Sequence, residues 1–161
     1  YHPNILVINN IEFDHADIFE NIDAVIKNFH HLVRIVPKNG KIIYNYDDKN
    51  IRKLIEKGIW SKEISMTSKN SKNANWSLSR KEDGFVFLNL KAKTPNMKII
   101  ESSLLGIHNY KNISLAILAS MQAGVSFSIC IDAIKKFKGV KRRMEKVESE
   151  GILQILSLIH I

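Results

Sequence analysis

The chain has 161 residues, of which 45% are hydrophobic and 25% charged, with 24 basic against 16 acidic side chains for a net charge of +8. That composition fits one globular domain with a real core and excludes a disordered or collagen-like chain; no apolar run approaches the ~18 residues of a membrane-spanning helix. The single cysteine, Cys130, can form no internal disulfide, so nothing argues for secretion and a cytoplasmic location is expected.

The first element is a buried strand, Ile5-Leu6-Val7-Ile8, close behind Tyr1, as if the interior of a longer protein had been entered. A polar loop, Asn9 to Asp17, follows. Asp17 and Glu20 fit a capping box for a helix with Ile22, Val25, Ile26, Phe29, Leu32 and Val33 on one face. Pro37 and Asn39-Gly40 end that helix, and Lys41 to Tyr44 reads as a second strand. Asp47 or Asp48 then caps a short helix that Gly58 stops.

Alternating strands and helices predict a parallel α/β sheet. Ser61 to Asn75 is polar and reads as irregular. Trp76 to Ser79, the turn signal Asp83-Gly84, Phe85 to Leu88 and Met97 to Leu105 predict an appended antiparallel meander. Two helices close the pattern. One runs from about Asn109 to Ala123 with Ile113, Ala116, Ile117 and Ser120 inward. The other carries Phe127, Cys130, Ala133, Ile134 and Phe137 in register.

Three constellations carry candidate chemistry. The loop Asn9 to Asp17 lies past the C-terminal end of the first strand, where open α/β sheets bind ligands. His15 there reads as a metal or anion ligand, or as a loop imidazole bonded to backbone. Asn109 reads as a helix N-cap, yet Asn109 and Asn112 share a helical face, and paired amides can read a base edge because an amide both donates and accepts. In Phe137 to Glu145, Arg143 reads as a phosphate ligand or as part of a solvated basic loop. His30-His31 lies mid-helix with the two rings on different faces, poor geometry for a metal, and Cys130 reads as core. The basic run Lys135 to Arg143 lacks interleaved aromatics, so a nucleic-acid partner is not expected.

In order, NNIEFDHADIF (9–19), NYDD (45–48), GIHNYKN (106–112) and FKGVKRRME (137–145) resemble the central domain of the Mur ligase family over residues 1–150. EFDHADIF followed by FHHLVRIVP is similar to the murein peptide ligase branch rather than to the muramate–alanine ligases. The resemblance implies an α/β fold, a mostly parallel sheet flanked by helices with an antiparallel meander. It implies ATP and Mg2+ as cofactors and an acyl-phosphate mechanism joining a murein tripeptide, L-alanyl-γ-D-glutamyl-meso-diaminopimelate, to UDP-N-acetylmuramate. It implies that His15 binds magnesium, that His108, Asn109 and Asn112 sit at the adenine, and that Arg143 approaches the terminal phosphate. The position of the carbamylated Lys found in some relatives holds His30, and no Gly-Lys-Thr phosphate loop occurs. The family's phosphate loop and C-terminal domain are thus expected outside this sequence, leaving the piece inactive by itself. Residues 151–161 are read as its end, and Leu156 to Ile161 resembles a translated sequencing adapter, a non-native tail. A binding module that retains nucleotide affinity without chemistry is the competing reading.

Overall fold

The protein is described from a computed structural model, covering residues 2–14, 17–69, 71–82, 84–93, 96–104, 106–139, 145–149 and 152–156. Strand β1 (Ile5–Ile8) is followed by helix α1 (Ile22–Arg34), β2 (Lys41–Asn45), α2 (Lys49–Glu56) and β3 (Lys62–Thr67). The three strands pair in parallel, with Val7 opposite Ile43 and Ile43 opposite Ile64. Strand β4 (Trp76–Lys81) joins β3 in parallel at Met66–Trp76 and Thr67–Ser77. The chain then reverses through β5 (Gly84–Asn89) and β6 (Asn96–Glu101), giving one six-stranded mixed sheet ordered β1-β2-β3-β4-β5-β6. Helices α3 (Ile107–Gln122) and α4 (Phe127–Lys136) follow, and β7 (Glu145–Ser149) pairs with β8 (Ile152–Leu156) as a separate two-stranded sheet.

Each face of the large sheet carries its own core. Val25, Ile26 and Val33 of α1 and Ile51 and Leu54 of α2 pack with Ile8, Ile42 and Tyr44 on one face. On the other, Tyr110, Ile113, Leu115, Ile117 and Leu118 of α3 and Cys130 of α4 pack with Ile43, Met66, Phe85, Phe87 and Ile100. Phe85 sits 5.0 Å from the Tyr110 ring, and Trp76 stacks on Phe87 at 4.7 Å. Burial on both faces is why the central strand β2 reads as an unbroken apolar run, whereas β1, at the sheet edge, leaves Val7 exposed. Gly84 holds φ +151, where a Cβ would come within 2.0 Å of the Ile100 carbonyl oxygen, so only glycine fits that start of β5.

The parallel sheet, the meander and the core role of Cys130 are as expected. His30 turns Nε2 toward the Gly58 carbonyl at 3.2 Å and its ring toward Trp60, while His31 is exposed.

Several expectations are corrected. Ser61 to Asn75 is not irregular throughout: β3 lies within it, and its buried polar residues Ser65 and Thr67 bond to Asn75 and Asp47. The cap of α1 is Asn21, which accepts from Ala24 N–H at 2.9 Å, not Asp17. The cap of α2 is Asp48. Asn109 is no cap, because α3 starts at Ile107 behind Gly106, whose φ of 93 breaks the chain direction there. On α3, Ala116 is exposed and Ser120 half-buried, while Tyr110, Ser114, Leu115 and Leu118 face inward. On α4, Ala133 and Phe137 are exposed. Strand β8 ends at Leu156, and residues 157–161 lie outside the described residues.

Candidate functional site

The C-terminal ends of β1, β2 and β3 come together beneath the start of α3, and a cleft of about 350 Å³ opens there. Its lining includes Asn9, Asn10 and Glu12 after β1, Asn45 at the end of β2 with Asp47 and Asp48 after it, Lys69 after β3, and His108, Lys111 and Asn112 from α3. This is where parallel α/β sheets hold ligands, since the strands stop and the following loops diverge.

Each loop is fixed by identifiable bonds. Asp48 accepts the N–H groups of Asn50 and Ile51 as the α2 cap, and with its other oxygen it accepts Ile11 N–H at 3.1 Å. Asn50 Nδ2 donates to the Ile11 carbonyl at 2.7 Å. The loop after β1 is thereby clasped to α2, and Ile11 is buried beneath it. On the α3 side, Asn9 Nδ2 donates to Asn112 Oδ1.

Asp47 is the hub. Its carboxylate, with a side chain only 6% exposed, accepts from Thr67 Oγ1, from Ser68 N–H at 2.9 Å and from Ser68 Oγ, and pairs with Lys111 Nζ at 3.1 Å. Burial pushes the carboxyl up, but the bonds from Ser68 and Thr67 and from Lys111 more than offset it, and the group lies at about 2. Next to it on β2, Tyr44 donates to Glu63 at 2.9 Å, and burial together with that carboxylate raises the phenol well above its usual range.

A second cavity, of about 390 Å³, lies against the opposite side of the α3 start. It is lined by Leu104, Asn109, Asn112, Ile113, Ala116, Ile134 and Phe137. Asn112 lines both spaces. A mostly apolar pocket with two amides on its wall suits a flat heterocycle whose edge carries donors and acceptors.

The structure thus brings together three of the five residues singled out in the sequence. His108 is exposed in the polar cleft, Asn109 is half-buried at the apolar cavity, and Asn112 stands between them. His15 and Arg143 lie outside the described residues. Thr67 and Ser68 were not singled out; Asp47 was read only as a possible helix cap, and Asn9 and Lys111 only as parts of the motifs that contain them. The available signal was NYDD, two adjacent acids at a strand's C-terminal end where a cap requires one and the other needs partners of its own.

A magnesium site does not assemble from the described residues. Among them no group of three or more His, Cys, Asp or Glu is arranged around a common point. Asp47 and Asp48 are committed to the bonds above. Among the described residues no helix is long and apolar enough to cross a membrane.

The family described as Mur ligase middle domain matches residues 1–120. The UDP-N-acetylmuramate–L-alanyl-gamma-D-glutamyl-meso-2,6-diaminoheptandioate ligase of Escherichia coli (strain K12) is 35% identical over 94% of this chain and 33% of its own length. The UDP-N-acetylmuramate–L-alanine ligase of Acetivibrio thermocellus is 30% identical over 97% of this chain and 34% of its own. The crystal structure of a murein peptide ligase from Psychrobacter arcticus superposes with a TM-score of 0.74 at 30% identity, covering 99% of this chain and 32% of that one. The chain therefore spans about a third of the length of these relatives.

Proposed function

This chain belongs to the Mur ligase family by its middle domain, and on that premise we propose that it forms the nucleotide-reading part of an ATP-dependent ligase. The full-length protein joins the tripeptide L-alanyl-γ-D-glutamyl-meso-diaminopimelate to the carboxylate of UDP-N-acetylmuramate. The observation that carries this reading is the pair Asn109 and Asn112 on the wall of an apolar cavity, with Asn112 also lining the polar cleft at the strand ends. Adenine fits there by its chemistry: an apolar ring and a hydrogen-bonding edge.

Asn109 and Asn112 would hold the base, with His108 turned to the cleft where the phosphates and the muramate carboxylate meet. Bound ATP supplies the phosphoryl group that activates the carboxylate, and the tripeptide's amine displaces it. The chain's own part is to fix the base, to line the cleft with Lys69, and to keep the loop after β1 clasped over the strand ends. Arg143 is assigned to the terminal phosphate, where a guanidinium offsets developing charge. His15 is assigned to magnesium.

The test is phosphate release from ATP by the full-length protein with UDP-N-acetylmuramate, offered the tripeptide or free L-alanine. Release that requires the tripeptide supports the reading. Release that prefers L-alanine supports a second one, the muramate–alanine ligase, which the 30% identity to the Acetivibrio thermocellus enzyme favours. Release with neither, alongside retained ATP binding, identifies a nucleotide-binding module without chemistry.

A further inference from the structure

Helix α3 begins without the usual devices. Its N-cap, Gly106, makes no side-chain bond, no acidic residue occupies its first turn, and a lysine stands at position 111, one turn in. A cation near a helix N-terminus opposes the helix dipole, and a glycine cap leaves backbone donors without a side-chain acceptor. Violations of this kind collect where something other than stability is served.

The compensation comes from outside the helix. Lys111 has a side chain only 18% exposed, and its ammonium lies 3.1 Å from Asp47, whose remaining acceptor capacity is filled by Thr67 and Ser68. The pair ties the start of α3 to the ends of β2 and β3. A second tether, Asn9 to Asn112, ties the neighbouring residue to the end of β1. Both tethers fall on adjacent residues of α3, and Asn112 is one of the two amides at the apolar cavity.

We infer that Asp47 and Lys111 are positioning residues for nucleotide recognition: their ion pair sets the start of α3 so that Asn112 presents its amide to the base. Neither touches the base itself. The inference rests on the nucleotide reading above, and it adds that the affinity of the amides depends on an ion pair made by the neighbouring residue of the same helical turn.

The test uses the full-length protein and phosphate release measured against ATP concentration. Asn112→Ala, which removes a reading amide, raises KM for ATP about tenfold, the effect of losing one well-placed hydrogen bond. Lys111→Met, which keeps the stem and removes the charge, raises it by roughly three- to tenfold with kcat within about twofold. Lys111→Gln gives the same split should the Met variant fail to fold, and Lys111→Arg, with the charge restored, recovers most of the affinity. The double variant Lys111→Met with Asn112→Ala is no worse than Asn112→Ala alone, since one acts through the other.

An unchanged KM in Lys111→Met and Lys111→Gln beside a raised one in Asn112→Ala overturns the positioning role and leaves the nucleotide reading standing. Multiplying effects in the double variant overturn it by making Lys111 a direct contact. A fall in kcat at constant KM overturns it by placing Lys111 at the reacting groups. An Asn112→Ala protein with ordinary ATP affinity removes the nucleotide reading and the inference together.

Discussion

Replacing Asp47 with Asn isolates the electrostatics of the hub. In the folded chain the carboxyl lies at about 2 against an ordinary 3.8. A carboxyl held below its unfolded value adds stability at pH above that unfolded value, and the contribution is lost as pH falls through the folded one. The interval corresponds to about 2 kcal/mol, complete above about pH 5, near half at about pH 3 and mostly gone at about pH 2. Asn cannot titrate, so this component is missing from Asp47→Asn at every pH. Other carboxylates titrate alike in both proteins and cancel. Urea unfolding followed by circular dichroism, in steps from about pH 6 to about pH 3, should show the stability gap between the two narrowing by about 1 kcal/mol. A gap that stays constant across that range would refute the assignment of a depressed carboxyl at Asp47, and with it the account of the hub as a charge held by its donors.

Other perturbations address the meander and the two site residues outside the described geometry. Gly84→Ala forces a Cβ to 2.0 Å from the Ile100 carbonyl oxygen at φ +151, so β5 and β6 must separate. A loss of about 3 kcal/mol or more is expected in urea unfolding, and a loss under about 1 kcal/mol would contradict the close approach. His15→Ala in the full-length protein should lower turnover chiefly at low magnesium; an unchanged magnesium dependence removes His15 from the metal. Arg143→Ala should slow single-turnover phosphate release by more than it weakens ATP binding, and equal effects would make Arg143 a binding residue only.

The parallel half of the fold was legible because its strands are short apolar runs and its helices carry clear apolar faces, as in Ile5 to Ile8 and in Val25, Ile26 and Val33. Strand β3 was hidden because two of its four buried side chains, Ser65 and Thr67, are polar and are satisfied by Asn75 and Asp47, partners that only the folded chain supplies. The caps of α1 and α3 were misplaced for a related reason. Asp17 and Asn109 are good capping residues, but the backbone turns into the helix at Asn21 and at Gly106 instead. At the site, the amides of Asn109 and Asn112 stood out by their spacing. Their neighbours Asn9 and Lys111 carry no local signal, since the contacts that matter join β1 and β2 to α3.

The same network has a consequence in time. Thr67 and Ser68 reach Asp47 across 20 and 21 residues, Lys111 reaches it from farther still, and Asn9 meets Asn112 across 103. The meander, by contrast, is closed by short connections between neighbouring strands. Closing long loops is entropically costly, and contacts distant in sequence form late. A refolding chain is therefore expected to recover its antiparallel strands before the cleft at its strand ends, so that the proposed ATP affinity should return after the circular dichroism of the sheet.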